Sequence, residues 1–418
     1  MAEALQRVDG QAGDDGARTA LARADWPAAL DEAMRVFSID ASVLQMVDGD
    51  LRFTHQLLQE SLAADVLLDA SRSGQRPASD FWPEQRGWKR TGWEVVAEIA
   101  GEACGVDVTA QHRLIAWLSA STPKVALDVW KHLNRPVLPA EVRQEIAAQW
   151  CPRLTDVQAE PAPESRAAIG EWLGALDLDH RPGTGLRPDG VPDIDWVRIG
   201  DFEIGRYLVT NRQWQAFIDD GGYGDGRWWV GLAERMTPQS ARWSEPTAPR
   251  ETVSWYEAMA YCRWLSVKLG AVVMLPTEAQ WEWAACGGSG REFAWGNEWN
   301  LDLVNAERCI GRTTVVGLYP NGATPESVQD MTGNVWEWCL NEYDNPQNSD
   351  PTGSARRVVR GGVWDYPSVN CRASYRSGRA PVNRSNLLGL RLVRASPCLA
   401  APLYGSSPSG GGWEGVDG

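Results

Sequence analysis

The chain has 418 residues, 43% of them hydrophobic, with a formal net charge of −15 and a sequence pI near 4.9. That length and apolar content suit two domains with real cores. The acidic balance excludes the basic footprint of a nucleic-acid binder, and no apolar run is long enough to span a bilayer. The N-terminus lacks the basic start and apolar core of a signal peptide, so a cytoplasmic protein is expected. Eight cysteines are scattered, none in a C-x-x-C pair, which points to reduced and mostly buried thiols.

Residues 1–20 are polar and Gly/Asp-rich and are expected to be disordered. From 21 to 180 the pattern is helical, and this half reads as all-α. Phe53 to Leu68 carries Leu57, Leu58, Leu62, Val66 and Leu68 on a broad apolar face. Trp93–Ala100, Arg113–Leu118, Glu141–Trp150 and Arg166–Leu176 repeat that habit. Residues 181–193 are rich in glycine and proline and read as a linker. Beyond it the segments 195–199 and 202–208 alternate like strands. Thr210 caps a predicted helix through Trp214 and Phe217. Ser254 with Glu257 and Thr277 with Gln280 have the spacing of capping boxes, with a strand at 272–275 between them. Short strands follow near 335–339, 357–363 and 388–393, separated by long loops, which makes an α+β pattern. The tail, 399–418, is Gly/Ser-rich and reads as flexible.

Two tryptophan pairs stand out among 23 tryptophans, Trp281 with Trp283 and Trp336 with Trp338. Core indoles bonded to polar loops are the expectation for them, with sugar-stacking platforms as the alternative. The four histidines, His55, His112, His132 and His180, all precede residue 194. The C-terminal half therefore has no imidazole for a Ser–His dyad or a zinc site. Glu278, Glu282 and Glu337 are carboxylates for which bracing of helices and loops is a better role than acid–base chemistry.

Arg52 to Glu60, Phe81-Trp-Pro-Glu84 and Gly92-Trp-Glu94 resemble the helical end of NACHT-type signalling NTPases. No G-x-x-x-x-G-K-[ST] phosphate loop accompanies them, so that resemblance implies a helical module without the nucleotide engine. A sensor fragment of such an NTPase is one functional alternative. In the C-terminal half, Leu275–Ala284, Asp330–Trp338 and Arg357–Gly362, closing with Gly389-Leu-Arg391, resemble the formylglycine-generating-enzyme branch of the C-type lectin fold, over about 194–398. Those oxidases carry two cysteines, five residues apart, after the R-G-G segment; they bind copper and oxidise a substrate cysteine. Here the two positions are Tyr366 and Cys371. A lone thiol cannot make the two-thiolate site that copper(I) prefers, so no catalytic residue and no cofactor is expected, although a copper-dependent oxidase stays as an alternative. The same resemblance implies calcium held by loop carbonyls and acids, for which Asn305 and Asn334 are the candidates.

The run from Cys371 to Arg391 also resembles the variable region of target proteins of diversity-generating retroelements. In those systems asparagine codons of the form AAC become any codon ending in C. A frame of Arg360, Gly361, Gly362, Arg372, Arg376, Arg384, Gly389 and Arg391 alternates with residues of unrelated chemistry. The variable, ligand-binding positions expected on this basis lie at about 363–387. They are Val363, Asp365, Tyr366, Ser368, Val369, Tyr375, Ser377, Gly378, Arg379, Ala380, Val382, Ser385 and Leu387. The expected partner is a protein, with carbohydrate second, and neither nucleic acid nor membrane.

Overall fold

The computed structural model describes residues 43–47, 50–83 and 91–395. The expectations for residues 1–20 and 399–418, and Cys398, lie outside the described residues. Among the described residues the first elements are an antiparallel hairpin of β1 (Leu44–Val47) and β2 (Asp50–Phe53), which corrects the all-α reading. Helices follow at α1 (Gln56–Ser73), α2 (Trp93–Ala103), α3 (Val108–Ser119), α4 (Pro123–His132), α5 (Ala140–Trp150) and α6 (Pro163–Ala175). Each predicted helix is present, but the apolar face expected on α1 is corrected: Leu57 and Leu62 are exposed, and Ala63, Ala64, Leu67 and Leu68 are among its buried residues. The sequence reading missed α4, whose Pro123 sits in its first turn, where a proline lacks nothing the helix needs.

The helical core extends across the predicted boundary. Ile169, Trp172 and Leu173 of α6 share one buried cluster with Val315, Leu318 and Tyr319. Gly170 makes the approach close: a Cβ there would lie 2.8 Å from Val315. Buried Arg166 donates to the Leu318 carbonyl at 3.1 Å, and Arg312 ion-pairs with Glu171 at 2.9 Å and Glu245 at 2.5 Å. Segment 181–193 is likewise built in. Gln213 donates to the carbonyls of Gly183 and Asp193, and Thr184 is buried.

The C-terminal half holds two four-stranded sheets. One has the order β3 (Trp196–Ile199), β4 (Phe202–Gly205), β10 (Val393–Ala395), β5 (Val273–Met274), all antiparallel. The other has the order β8 (Ser377–Arg379), β7 (Arg357–Arg360), β6 (Trp336–Glu342), β9 (Leu388–Gly389), with β6 and β9 parallel. The single strand predicted at 388–393 is thus two strands in different sheets, because the chain crosses between sheets at Leu390–Leu392.

Helices α7 (Asn211–Asp219), α8 (Trp255–Leu269) and α9 (Glu278–Cys286) each begin at a capping box, on Thr210, Ser254 and Thr277. Each box satisfies two N–H groups that the first turn leaves orphaned, and losing such a cap costs about 1 kcal/mol. Most of the paired tryptophans are core. Trp281 donates to Glu337 at 2.8 Å, Trp338 to the Val253 carbonyl at 2.9 Å, and Trp255 to the Cys339 carbonyl at 2.9 Å. Trp283 is the exposed member. Among the described residues, no helix is long and apolar enough to cross a membrane.

Candidate functional site: the loop surface over β6, β7 and β8

Strand β6 alternates its side chains between two cores. Trp336, Trp338 and Leu340 face one; Cys339 faces the other. Glu337, also buried, meets Arg391 and Trp281. The segment 361–387 wraps over the Trp336 side. It leaves β7 through Gly361 (φ +97°) and Gly362 (φ +79°), conformations that L side chains rarely adopt. Space demands glycine as well: a Cβ on Gly362 would lie 2.5 Å from the Cys371 Sγ.

Most of the frame arginines pin this surface from beneath, and Arg372 pins it at the solvent-exposed side. Arg360 donates to the Ser374 carbonyl at 2.9 Å and ion-pairs with Glu282. Arg376 grips Glu278 with both nitrogens, at 2.7 and 2.9 Å. Arg384 does the same to buried Glu257, which also accepts from the Tyr223 hydroxyl. Arg372 pairs with Glu292, Arg391 with Glu337, and Arg357 donates to three backbone carbonyls. Glu278, Glu282 and Glu337 are therefore braces. Bidentate arginine–carboxylate pairs fix orientation as well as distance, so the loops between them have a stiff base.

On that base, Tyr366 meets Trp336 edge-on, with centroids 6.1 Å apart, and Tyr375 lies 5.9 Å from the same ring. Both tyrosines are half-buried. The Leu387 carbonyl accepts from the Trp336 backbone N–H at 2.8 Å, and Val382 and Leu387 pack partly against the same cluster. The indole nitrogen of Trp336 is buried without a hydrogen-bond partner. Ser377 and Arg379 stand at alternate positions of β8 and share one side of it. Arg379 donates to the Ser377 hydroxyl at 3.0 Å, in agreement. Ser368 and Val369 stand on a separate turn, 368–371, where Glu307 accepts from the Ser368 N–H; Val369 is 46% exposed. Asp365 is half-buried with one carboxylate oxygen unpartnered, and Ala380 and Ser385 are half-buried in the connecting turns.

Two expected positions are corrected. Val363 is wholly buried, packed into the core that holds Trp336, because the glycine turn sends the chain inward; Trp364 packs partly against the same core. Gly378 cannot carry an arbitrary side chain: a Cβ there would lie 2.6 Å from Cγ of Tyr343. Sequence reasoning also missed Trp336 as the floor under the two tyrosines. Its neighbours in space come from residues 30 and 39 positions later, and no local pattern shows that.

Asn305 and Asn334 are buried and engaged with protein. Asn305 donates to the Arg312 carbonyl and to Asn334 Oδ1, which also accepts from the Thr314 N–H. Cys371 is buried among Val304 and Ala306 with Trp295 and Trp299 alongside. Burial pushes its thiol up to about 12, against a smaller opposing effect from the Val363 backbone.

Residues 183–396 match the sulfatase-modifying factor enzyme 1-like domain. The chain belongs to that family. It is 33% identical over 237 residues to hercynine oxygenase of Mycolicibacterium smegmatis, covering 47% of this chain and 54% of the relative. It is 30% identical over 298 residues to the formylglycine-generating enzyme of Streptomyces coelicolor, covering 56% of this chain and 92% of the relative. The chain thus spans about half the length of the hercynine oxygenases it matches. Among solved structures, Treponema denticola variable protein 1 aligns over 47% of this chain and 84% of its own, with 25% identity and a TM-score of 0.37.

The copper that the formylglycine-generating branch implies does not fit the residues present. One of its two cysteine positions is Tyr366, and the thiol at the other is buried, protonated and shut in by Gly362. At pH 8 a thiol of this kind ionises in roughly 1 molecule in 10⁴, against roughly a quarter for an ordinary one. Iodoacetamide at pH 8 is therefore expected to leave Cys371 unmodified in the folded protein over a time that alkylates it fully in 6 M guanidinium, as read by peptide mass spectrometry. Equal labelling in both states would show an open thiol.

Proposed function

We propose that this module is a non-catalytic ligand-binding domain. On the C-type lectin-like scaffold that the family resemblance implies, half-exposed side chains between Asp365 and Leu387 grip a partner. The observation that carries the reading is the substitution of chemistry by surface. Where an oxidase needs a thiolate, this chain has the Tyr366 ring leaning on Trp336, and the remaining thiol is buried. Tyrosine and arginine dominate binding energy when placed centrally in an interface, and Tyr366, Tyr375 and Arg379 stand on a base braced by ion pairs. A protein partner suits this mixture of aromatic, small polar and charged groups better than a sugar does.

We further propose that the positions of this segment that are at least partly exposed are diversified by a retroelement. Asp365, Tyr366, Ser368, Val369, Tyr375, Ser377, Arg379, Ala380, Val382, Ser385 and Leu387 are all residue types with a codon ending in C. The coding DNA tests this directly. C-ending codons at these positions are expected, with a near-copy of the segment nearby that differs mainly at adenines. G- or A-ending codons through the set, and no near-copy, would remove the diversification. Catalysis is tested separately: the full chain with copper(I) and oxygen is expected to leave a cysteine peptide unoxidised, and turnover lost in Cys371→Ser would overturn the binding-only reading.

A further inference from the structure

The charges around the surface point to the kind of partner it fits. Nine arginines lie between 356 and 394. Arg356, Arg360, Arg372, Arg376, Arg384, Arg391 and Arg394 each pair with a carboxylate of this chain. Arg357 is buried on carbonyls and lies over the Trp255 ring at 4.1 Å. Arg379 differs from all of these. It is half-exposed, and its guanidinium meets only the Ser377 hydroxyl and the Gly378 carbonyl, with no carboxylate in ion-pair range among the described residues. In a chain with 55 acidic and 40 basic residues, an accessible cation left without an acid is a vacancy for one.

Arg379 also sits on an open edge. Strand β8 has β7 on one side and, among the described residues, no strand on the other. Its register against β7 is Arg357↔Arg379, Val358↔Gly378, Val359↔Ser377. In an antiparallel pair alternate residues turn their N–H and C=O away from the partner strand, so an edge offers a ready ladder to another chain. Arg379 carries the one charged side chain of this three-residue strand. Gly378 has none, and Ser377 is small.

We infer, resting on the binding reading above, that the partner presents an extended acidic segment, which adds to the outer edge of β8 and places a carboxylate on Arg379. Main-chain hydrogen bonds supply the attachment and the charge pair supplies selectivity, as in other strand-addition complexes. The chain's overall negative charge opposes an acidic partner at a distance, but at physiological ionic strength that field is screened within about 8 Å. The contact at Arg379 is shorter than this and decides the preference.

The test uses the full chain and synthetic eight-residue peptides of alternating Thr and Val with Tyr flanks, identical except for Glu, Gln or Lys at one central position. Binding is read by fluorescence polarisation at 150 mM salt. The Glu peptide is expected to bind at least about tenfold more tightly than the Gln peptide, and N-methylation of its central backbone is expected to abolish binding. Arg379→Glu is expected to reverse the order so that Lys is preferred, and Arg379→Gln to level Glu and Gln. Both variants leave the braced frame untouched, and their near-UV circular dichroism should match the parent. Equal binding of the three peptides, an order unchanged by Arg379→Glu, or no binding of any peptide would overturn the inference. Charge-blind binding lost in Tyr366→Ala and Tyr375→Ala would do so while leaving the binding reading intact.

Discussion

Arg391→Ala is expected to lower the stability of the C-terminal half by about 3–5 kcal/mol. Arg391 and Glu337 are both fully buried, joined at 2.9 Å through two nitrogens. Arg391 also donates to the carbonyls of Gly205, Arg206 and Gln329, so it ties β4, the following turn and the 329–337 loop to one point. Removing the guanidinium strands a carboxylate and three carbonyls away from water, and an uncompensated buried charge costs far more than the pair itself contributes. Urea unfolding followed by tryptophan fluorescence would measure it, as a large drop in midpoint or as failure to recover soluble protein. Adding Glu337→Gln removes the stranded charge and keeps an acceptor for Trp281. The double variant is therefore expected to recover a substantial part of the loss. A midpoint unchanged in Arg391→Ala would show that the buried pair is not holding this region.

Gly362→Ala is expected to cost about 2–5 kcal/mol, in two parts. One part is conformational, since a left-handed backbone costs an L residue roughly 1–2 kcal/mol. The other is steric: the new methyl would lie 2.5 Å from Cys371 Sγ, 2.8 Å from Cys371 Cα and 3.0 Å from the Asn370 carbonyl. Overpacking of this kind costs typically about 1–3 kcal/mol. Cys371→Ala in the same chain relieves the clash with sulfur, but the α-carbon of residue 371 stays too close and φ stays positive. Partial rescue by that second change is thus the expected result in the same urea experiment. Full rescue would show that sulfur alone dictated glycine here; a neutral Gly362→Ala would show that the turn is free to reshape.

Much of the architecture is legible without coordinates. The helices of both halves follow from their apolar periodicity, and Thr210, Ser254 and Thr277 announce three helix starts because a capping box joins residues three apart. A bracing role for Glu278, Glu282 and Glu337 is also expected from sequence, but which arginine each one meets is not. Apart from α4, what sequence reasoning missed is non-local. The hairpin at 44–53, the short edge strand β8 and the division of 388–393 between two sheets depend on pairings between separate strands, which three or four residues of propensity do not specify.

From its sequence alone this chain determined its family frame, its cap and turn positions, and the loss of one thiol at Tyr366, because these are matters of residue identity and near neighbours. Only the tertiary structure decided which members of the loop set reach the outside. It turned Val363 into the core, closed Gly378 against Tyr343, set two tyrosines on Trp336 and left Arg379 with no acid among the described residues. Exposure and charge pairing are sums over atoms that folding brings from far along the chain, and a linear reading has no means of adding them.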